Sequence, residues 1–234
     1  RAFRDAVADS SLSFVCAHGS YLINLASSDA AVREKSLGAL CEELARAEAL
    51  GCAGLVIHPG SPKKDAAETG VERVAAGIRT ALARTEGAAV KLVLENTAGQ
   101  GAALGAPLEE LAAMIAGADE HPRLSVCLDT CHVFAAGTNL REKTAVRRLG
   151  QEVDATVGLH RLLLLHLNDS RQPCGSNVDR HEHVGRGQIG DAGFRNLLQA
   201  DWTRGIPGII ETPKDPDTLA EDRENLERLV SLGA

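Results

Sequence analysis

The chain has 234 residues, 44% of them hydrophobic, and a formal net charge of −7, which suits one globular domain of α/β-barrel size and excludes a disordered or fibrous chain. No apolar run approaches the ~20 residues that span a bilayer as a helix, and the acidic balance argues against indiscriminate nucleic-acid binding. Six cysteines without CxxC pairs read as reduced thiols of an intracellular protein, with Cys16, Cys52 and Cys127 packed inside apolar runs.

Position 1 is Arg, followed at once by a helix-like stretch with Phe3 and Val7 at helical spacing, which reads as a start inside a longer chain. Leu12 to Cys16 predicts a short strand that runs out into His18-Gly19-Ser20-Tyr21-Leu22. Ser28 and Asp29 offer N-caps for a helix with Leu37, Leu40, Leu44 and Ala47 on one face, ended by Gly51. Gly54 to Ile57 is the next strand, broken by His58-Pro59-Gly60, and Val71, Val74, Ile78 and Leu82 mark the helix after it.

Val90 to Leu94 then leads into Glu95-Asn96, and Pro107 suits the first turn of a helix carrying Leu108, Leu111 and Ile115. Leu124 to Leu128 is a strand, 144–158 a helix, Leu162 to Leu165 a strand, and 191–200 a helix begun by Asp191. Gly208 to Ile210 is the last strand and 216–231 the last helix. Strict strand–helix alternation with uniformly apolar strands predicts a parallel sheet buried on both faces. About six strand–helix units are visible, where a closed (β/α)8 barrel needs eight.

Each strand hands over to an imidazole or a carboxylate: His18, His58, Glu95, Asp129, His166 and Glu211. His132 follows Asp129 by three residues, and Asp179 and His181 lie on the loop after the fifth visible strand. Strand C-terminal ends converge in a barrel, so these nine donors are expected on one rim. A single residue of this kind is more often a hydrogen-bonded structural group, but that does not account for six consecutive strands ending the same way. Imidazole and carboxylate without thiolate suit catalytic Zn²⁺, Mn²⁺ or Fe²⁺. Nine donors are too many for one ion and suit two or three, which could stabilise an in-line phosphoryl displacement. His121 and His160 read as structural, and His183 as either a surface residue or a neighbour of the site.

Six segments carry a resemblance: His18-Gly-Ser-Tyr-Leu-Ile-Asn-Leu25, His58-Pro-Gly-Ser61, Glu95-Asn-Thr-Ala-Gly-Gln-Gly101, Leu128-Asp-Thr-Cys-His-Val-Phe-Ala-Ala-Gly137, His166-Leu-Asn-Asp169 and Val178-Asp-Arg-His181. In order and content the chain resembles the endonuclease IV family of apurinic/apyrimidinic endonucleases, without the first two strand–helix units that members carry. The resemblance implies one TIM (β/α)8-type barrel domain over 1–234 with three Zn²⁺ ions, Mn²⁺ being compatible in part. It implies that His18, His58 and Glu95 hold one ion. Glu95 would bridge to a second, held also by Asp129, His166 and Glu211, and His132, Asp179 and His181 would hold the third.

The implied reaction is attack by a hydroxide between the first two metals on the phosphate 5′ to an abasic sugar in double-stranded DNA, with Glu95 and Glu211 as the catalytic carboxylates. The products would be a 3′-hydroxyl and a 5′-deoxyribose phosphate. Tyr21 and Leu22 occupy the positions of a pair that enters the DNA at the lesion, and Arg180 suits a phosphate contact. A cytoplasmic (nucleoid) monomer without membrane attachment is the expected state. The nearest rival is a xylose-isomerase-like sugar isomerase or epimerase. That chemistry uses Glu95, Asp129, His166 and Glu211 but has no need of His18, His58, His132, Asp179 and His181. A third reading is a non-catalytic DNA-binding relative.

Overall fold

The computed structural model describes residues 2–214 and 217–234, and these group into two compact units. The first takes the chain up to Glu95 with Ala102–Gly105 and Glu109–Val126, and the second takes Asn96–Gly101, Ala106–Leu108 and Cys127–Ala234.

In the first unit α1 (Ala2–Ala8) precedes β1 (Cys16–His18), α2 (Ala30–Leu50), β2 (Gly54–Ile57), α3 (Ala67–Arg84) and β3 (Lys91–Glu95). All but the first residue of α4 (Leu108–Gly117) and the first half of β4 (Leu124–Asp129) belong here too. The strands lie in the order β1-β2-β3-β4, and the pairs are parallel, with Cys16 opposite Gly54 and Gly54 opposite Lys91. Helix α2 starts where the sequence marks it: the Asp29 carboxylate accepts from the Ala31 and Val32 amides, and Gly51 closes the helix in the left-handed region at φ 77°. Leu40, Leu44, Val74, Ile78, Leu92 and Leu111 form the unit's buried core.

The second unit holds the end of β4, α5 (Thr130–Ala135), α6 (Lys143–Thr156), β5 (Leu162–His166), β6 (Asp169–Ser170), β7 (His181–Glu182), α7 (Gly190–Leu198), β8 (Gly208–Ile209) and α8 (Ala220–Gly233). Here the order is β4-β5-β8, with β5 and β8 parallel, while β6 and β7 form a separate antiparallel hairpin. Phe134, Val146, Leu149, Leu164, Phe194 and Leu197 are its core.

Every strand–helix unit expected from the sequence is present, with corrections at the edges. The first strand begins at Cys16 rather than Leu12, because pairing with β2 begins there and Leu12 is exposed. Burial on both faces holds for β2 to β5, whereas β1 and β8, last in the strand order, are partly exposed. Helix α7 begins at Gly190, one residue before its expected start, and the carboxylate of Asp191 in its first turn goes to Arg228 at 2.7 and 2.9 Å. The last helix begins at Ala220; position 216, its expected start, lies outside the described residues. Helix α5 and the β6–β7 hairpin have no counterpart among the expected elements.

Candidate metal centre

In the first unit, β1, β2 and β3 each end on one donor. Glu95 is fully buried. Its Oε2 lies 3.0 Å from His18 Nε2 and 3.1 Å from His58 Nε2. His18 Nδ1 is 2.9 Å from the Gly19 carbonyl, and since a carbonyl only accepts, Nδ1 carries the proton of the neutral ring. Nε2 then turns a lone pair on a carboxylate oxygen. Two acceptors facing each other at that distance need a cation between them, either a proton or a metal.

Asn24 sets the two histidine loops together. Its Oδ1 accepts from the Ser61 amide and its amide donates to the Ser61 carbonyl, both at 3.0 Å. Gly60 sits between His58 and that clasp at φ 98°, and a Cβ there would strike the Asn24 side chain.

The second unit repeats the pattern. His132 Nδ1 lies 2.8 Å from the Asn96 carbonyl, and its Nε2 lies 3.2 Å from Asp179 Oδ2. His181 Nδ1 lies 3.1 Å from the Glu211 carbonyl, and its Nε2 lies 3.2 Å from Asp179 Oδ1 and 3.8 Å from Asp129 Oδ2. That Nε2 is buried and makes no hydrogen bond of good geometry to any described residue. His166 Nδ1 is 3.1 Å from Glu211 Oε2 and 3.9 Å from Asp129 Oδ2. Asp129 therefore stands between the His166–Glu211 pair and the His132–Asp179–His181 trio.

The electrostatics follow from this packing. Burial works against ionisation of Asp179, but the close approach and charge of the His132 and His181 rings outweigh it and hold the carboxyl well below the usual range. Burial likewise works against a charged His181, yet the Asp179 and Asp129 carboxylates raise it to about 9. Cys131, beside Asp179 and His181, is pushed up to about 12 by burial first and the Asp129 charge second. It stays a thiol. The donors are oxygen and imidazole nitrogen, the set that suits a divalent catalytic ion.

Two asparagines that the sequence pattern did not single out organise the second unit's candidate donors. Asn168 donates to Asp129 Oδ2 at 2.6 Å, and its Oδ1 accepts from the Glu211 amide at 2.6 Å. Asn96 Oδ1 accepts from the Asp129 amide at 2.7 Å, while its carbonyl holds His132. Asp129 also caps α5, taking the His132 amide on Oδ1 at 2.8 Å, so the Asp-Thr-Cys-His spacing fixes both donors at once. The signal for the asparagines was position: each follows a strand end inside a quoted motif.

Tyr21 and Leu22 are 90% and 71% exposed, which rules out a core role. They sit in a turn closed by the Ile23 amide on the Ser20 carbonyl. Arg180 is exposed and donates to the Asp179 carbonyl. The histidines expected to be structural are so where contacts define them: His121 Nδ1 accepts from the Arg123 amide. His183, left open by the sequence, is held by Asn225 at 3.1 Å.

A family model described as xylose isomerase-like TIM barrel matches residues 1–230. A probable endonuclease 4 of Geobacter sp. strain M21 is 42% identical over 231 residues, covering 98% of this chain and 81% of the relative. The crystal structure of endonuclease IV from Thermus thermophilus superposes with a TM-score of 0.83 at 36% identity, covering 99% of this chain and 80% of that one. A D-tagatose 3-epimerase-like protein matches with a TM-score of 0.74 at 18% identity, over all of this chain and 84% of that one; this second likeness is one of fold alone. The fold is a TIM barrel, as the resemblance implied, and its parallel strand–helix alternation is the one read from the sequence.

Proposed function

The chain belongs to the endonuclease 4 family of xylose isomerase-like TIM barrels, a family of DNA-cleaving repair hydrolases, and from that premise we propose that it cleaves double-stranded DNA 5′ to abasic sites with three Zn²⁺ ions. The products are a 3′-hydroxyl and a 5′-deoxyribose phosphate. Residues 1–234 are read as one domain, acting inside the cell as a monomer on the nucleoid; among the described residues no helix is long and apolar enough to cross a membrane.

The observation that carries the metal reading is the set of imidazole Nε2 atoms turned on carboxylate oxygens at 3.0–3.2 Å. His18, His58 and Glu95 would hold one ion, Asp129, His166 and Glu211 another, and His132, Asp179 and His181 a third. When bound, such ions supply Lewis acidity toward phosphoryl oxygens and make a water acidic near neutral pH. Three divalent ions exceed the charge of the four ligand carboxylates, leaving a positive centre on an acidic chain, which attracts a phosphodiester.

The chain's own groups do the positioning. Backbone carbonyls of Gly19, Asn96 and Glu211 fix the tautomers of His18, His132 and His181, and Asn168 fixes Asp129 and Glu211. Exposed Tyr21 and Leu22 are an aromatic–aliphatic pair suited to filling space in a distorted duplex. An abasic nucleotide has little stacking to lose when it leaves the helix. Arg180 offers its guanidinium to a phosphate.

The direct test is cleavage of a synthetic duplex with one abasic site by zinc-loaded protein and by Glu95→Ala. The intact protein is expected to nick once, 5′ to the lesion, and the variant to lose about 10²–10³-fold in rate, as for removal of a group that organises transition-state charge. Normal turnover by Glu95→Ala would contradict the reading. The sugar-isomerase alternative loses its footing here, because its structural likeness is one of fold alone and it leaves five of the nine donors without a role.

A further inference from the structure

Three residues beyond His166, outside the ligand set, Asp169 is buried completely. Its carboxylate accepts five backbone amides. Oδ1 takes Ser170 N and Ile189 N, both at 2.8 Å; Oδ2 takes Gly185 N at 2.9 Å, Gly187 N at 3.0 Å and Gly190 N at 3.2 Å. The amides between them are also placed: Arg186 N on the His183 carbonyl and Gln188 N on the Ser170 carbonyl. Val184 N goes to Asn225 Oδ1 at 2.9 Å. Every amide from 184 to 190 is thus accounted for, four of them on one side chain.

A loop without helix or strand has no ladder to satisfy its amides, and buried amides left unpaired are costly. Here one carboxylate stands in for a ladder. Gly187 is shaped to it: a Cβ there would lie 2.5 Å from both Asp169 Oδ1 and the Ser170 carbonyl. Burial pushes the Asp169 carboxyl above the usual carboxylate range, and the amides it accepts counter only part of that.

The loop's other end is the metal-ligand segment. Asp169 and Ser170 pair with Glu182 and His181, and Arg171 N donates to the Arg180 carbonyl at 2.9 Å. The chain therefore leaves β6 at Asp169 and Ser170, turns through Asp179, returns antiparallel in β7 through His181, and folds its next turn back onto the Asp169 carboxylate.

We propose that Asp169 is the positioning residue for the His132–Asp179–His181 trio: its carboxylate is the template on which residues 185–190 fold, and that loop fixes the hairpin presenting Asp179 and His181. The inference rests on the metal reading only for its consequence on ion binding. An asparagine of the same size cannot replace it. Its amide NH2 would face backbone N–H donors, so at least one oxygen's worth of acceptors is lost.

The experiment compares wild type and Asp169→Asn by amide hydrogen exchange on metal-free protein, then by zinc content after loading. Exchange at Gly185, Gly187, Ile189 and Gly190 is expected to rise at least ~tenfold, the scale of one lost charge-assisted hydrogen bond. Zinc capacity should fall by one ion while the others are retained. A folded Asp169→Asn with wild-type exchange or full zinc capacity overturns the proposal. If that variant does not fold, Gly187→Ala decides, since its methyl presses on the carboxylate from the loop side; unchanged exchange and ion count there overturn it equally. A wild type that takes up no zinc defeats the metal reading alone, and the exchange comparison on metal-free protein still decides the positioning role.

Discussion

At the residue scale, the recurring device is an imidazole held by a backbone carbonyl on one nitrogen and aimed at a carboxylate with the other. It was legible in part. His18, His58, Glu95, Asp129, His166 and Glu211 each end an apolar run, which is where a parallel sheet delivers functional groups. Asn96, Asn168 and Asp169 were not legible as positioning groups, because a polar residue just past a strand end is equally what an ordinary turn contains. The same packing couples ion binding to protons. In the metal-free protein His181 is raised to about 9, so at pH 7 its ring is protonated, whereas a metal ligand must be neutral. Ion binding to that trio should therefore expel about one proton at pH 7, and affinity should rise with pH, levelling off above about 9. Titration calorimetry in buffers of different ionisation enthalpy reads the proton count. Uptake of the ion without proton release would contradict the assignment of His181.

At the element scale, the regular pieces followed from periodicity and capping. Helix α2 is the clearest case, with Asp29 accepting two amides and Gly51 in the left-handed region. Replacing Asp29 with Ala should cost about 1 kcal/mol of unfolding free energy, read as a lower urea midpoint at unchanged slope, and an unchanged midpoint would show that the cap is idle. Helix α5 and the β6–β7 hairpin left no sequence signal for a physical reason. α5 is six residues long and buried on all of them, so it has no polar face to set a period. The hairpin pairs two residues with two; what holds it is the amide cage on Asp169, a side chain supplying bonds that no hydrophobic pattern encodes. These short, irregular elements carry Asp179, His181 and His132, so the least regular part of the chain bears a third of the donors.

At the scale of the whole molecule, an acidic chain of net charge −7 acts on a polyanion, which is possible when divalent ions on the donor set supply the positive field in place of spread basic side chains. Strand β1 ends the sheet order in one unit and β8 in the other, and both are partly exposed. The chain spans about four-fifths of the relatives it matches, yet all nine donors of the implied set are within it. Fold class was legible because strand–helix alternation survives at that length. The ion count was legible only through the resemblance, since nine donors alone fit two ions or three. The measurement that bears on this most directly is the identity and number of metal ions per folded chain, by native mass spectrometry with elemental analysis. Three zinc ions are predicted; a single exchangeable divalent ion, or none, would contradict the trinuclear reading.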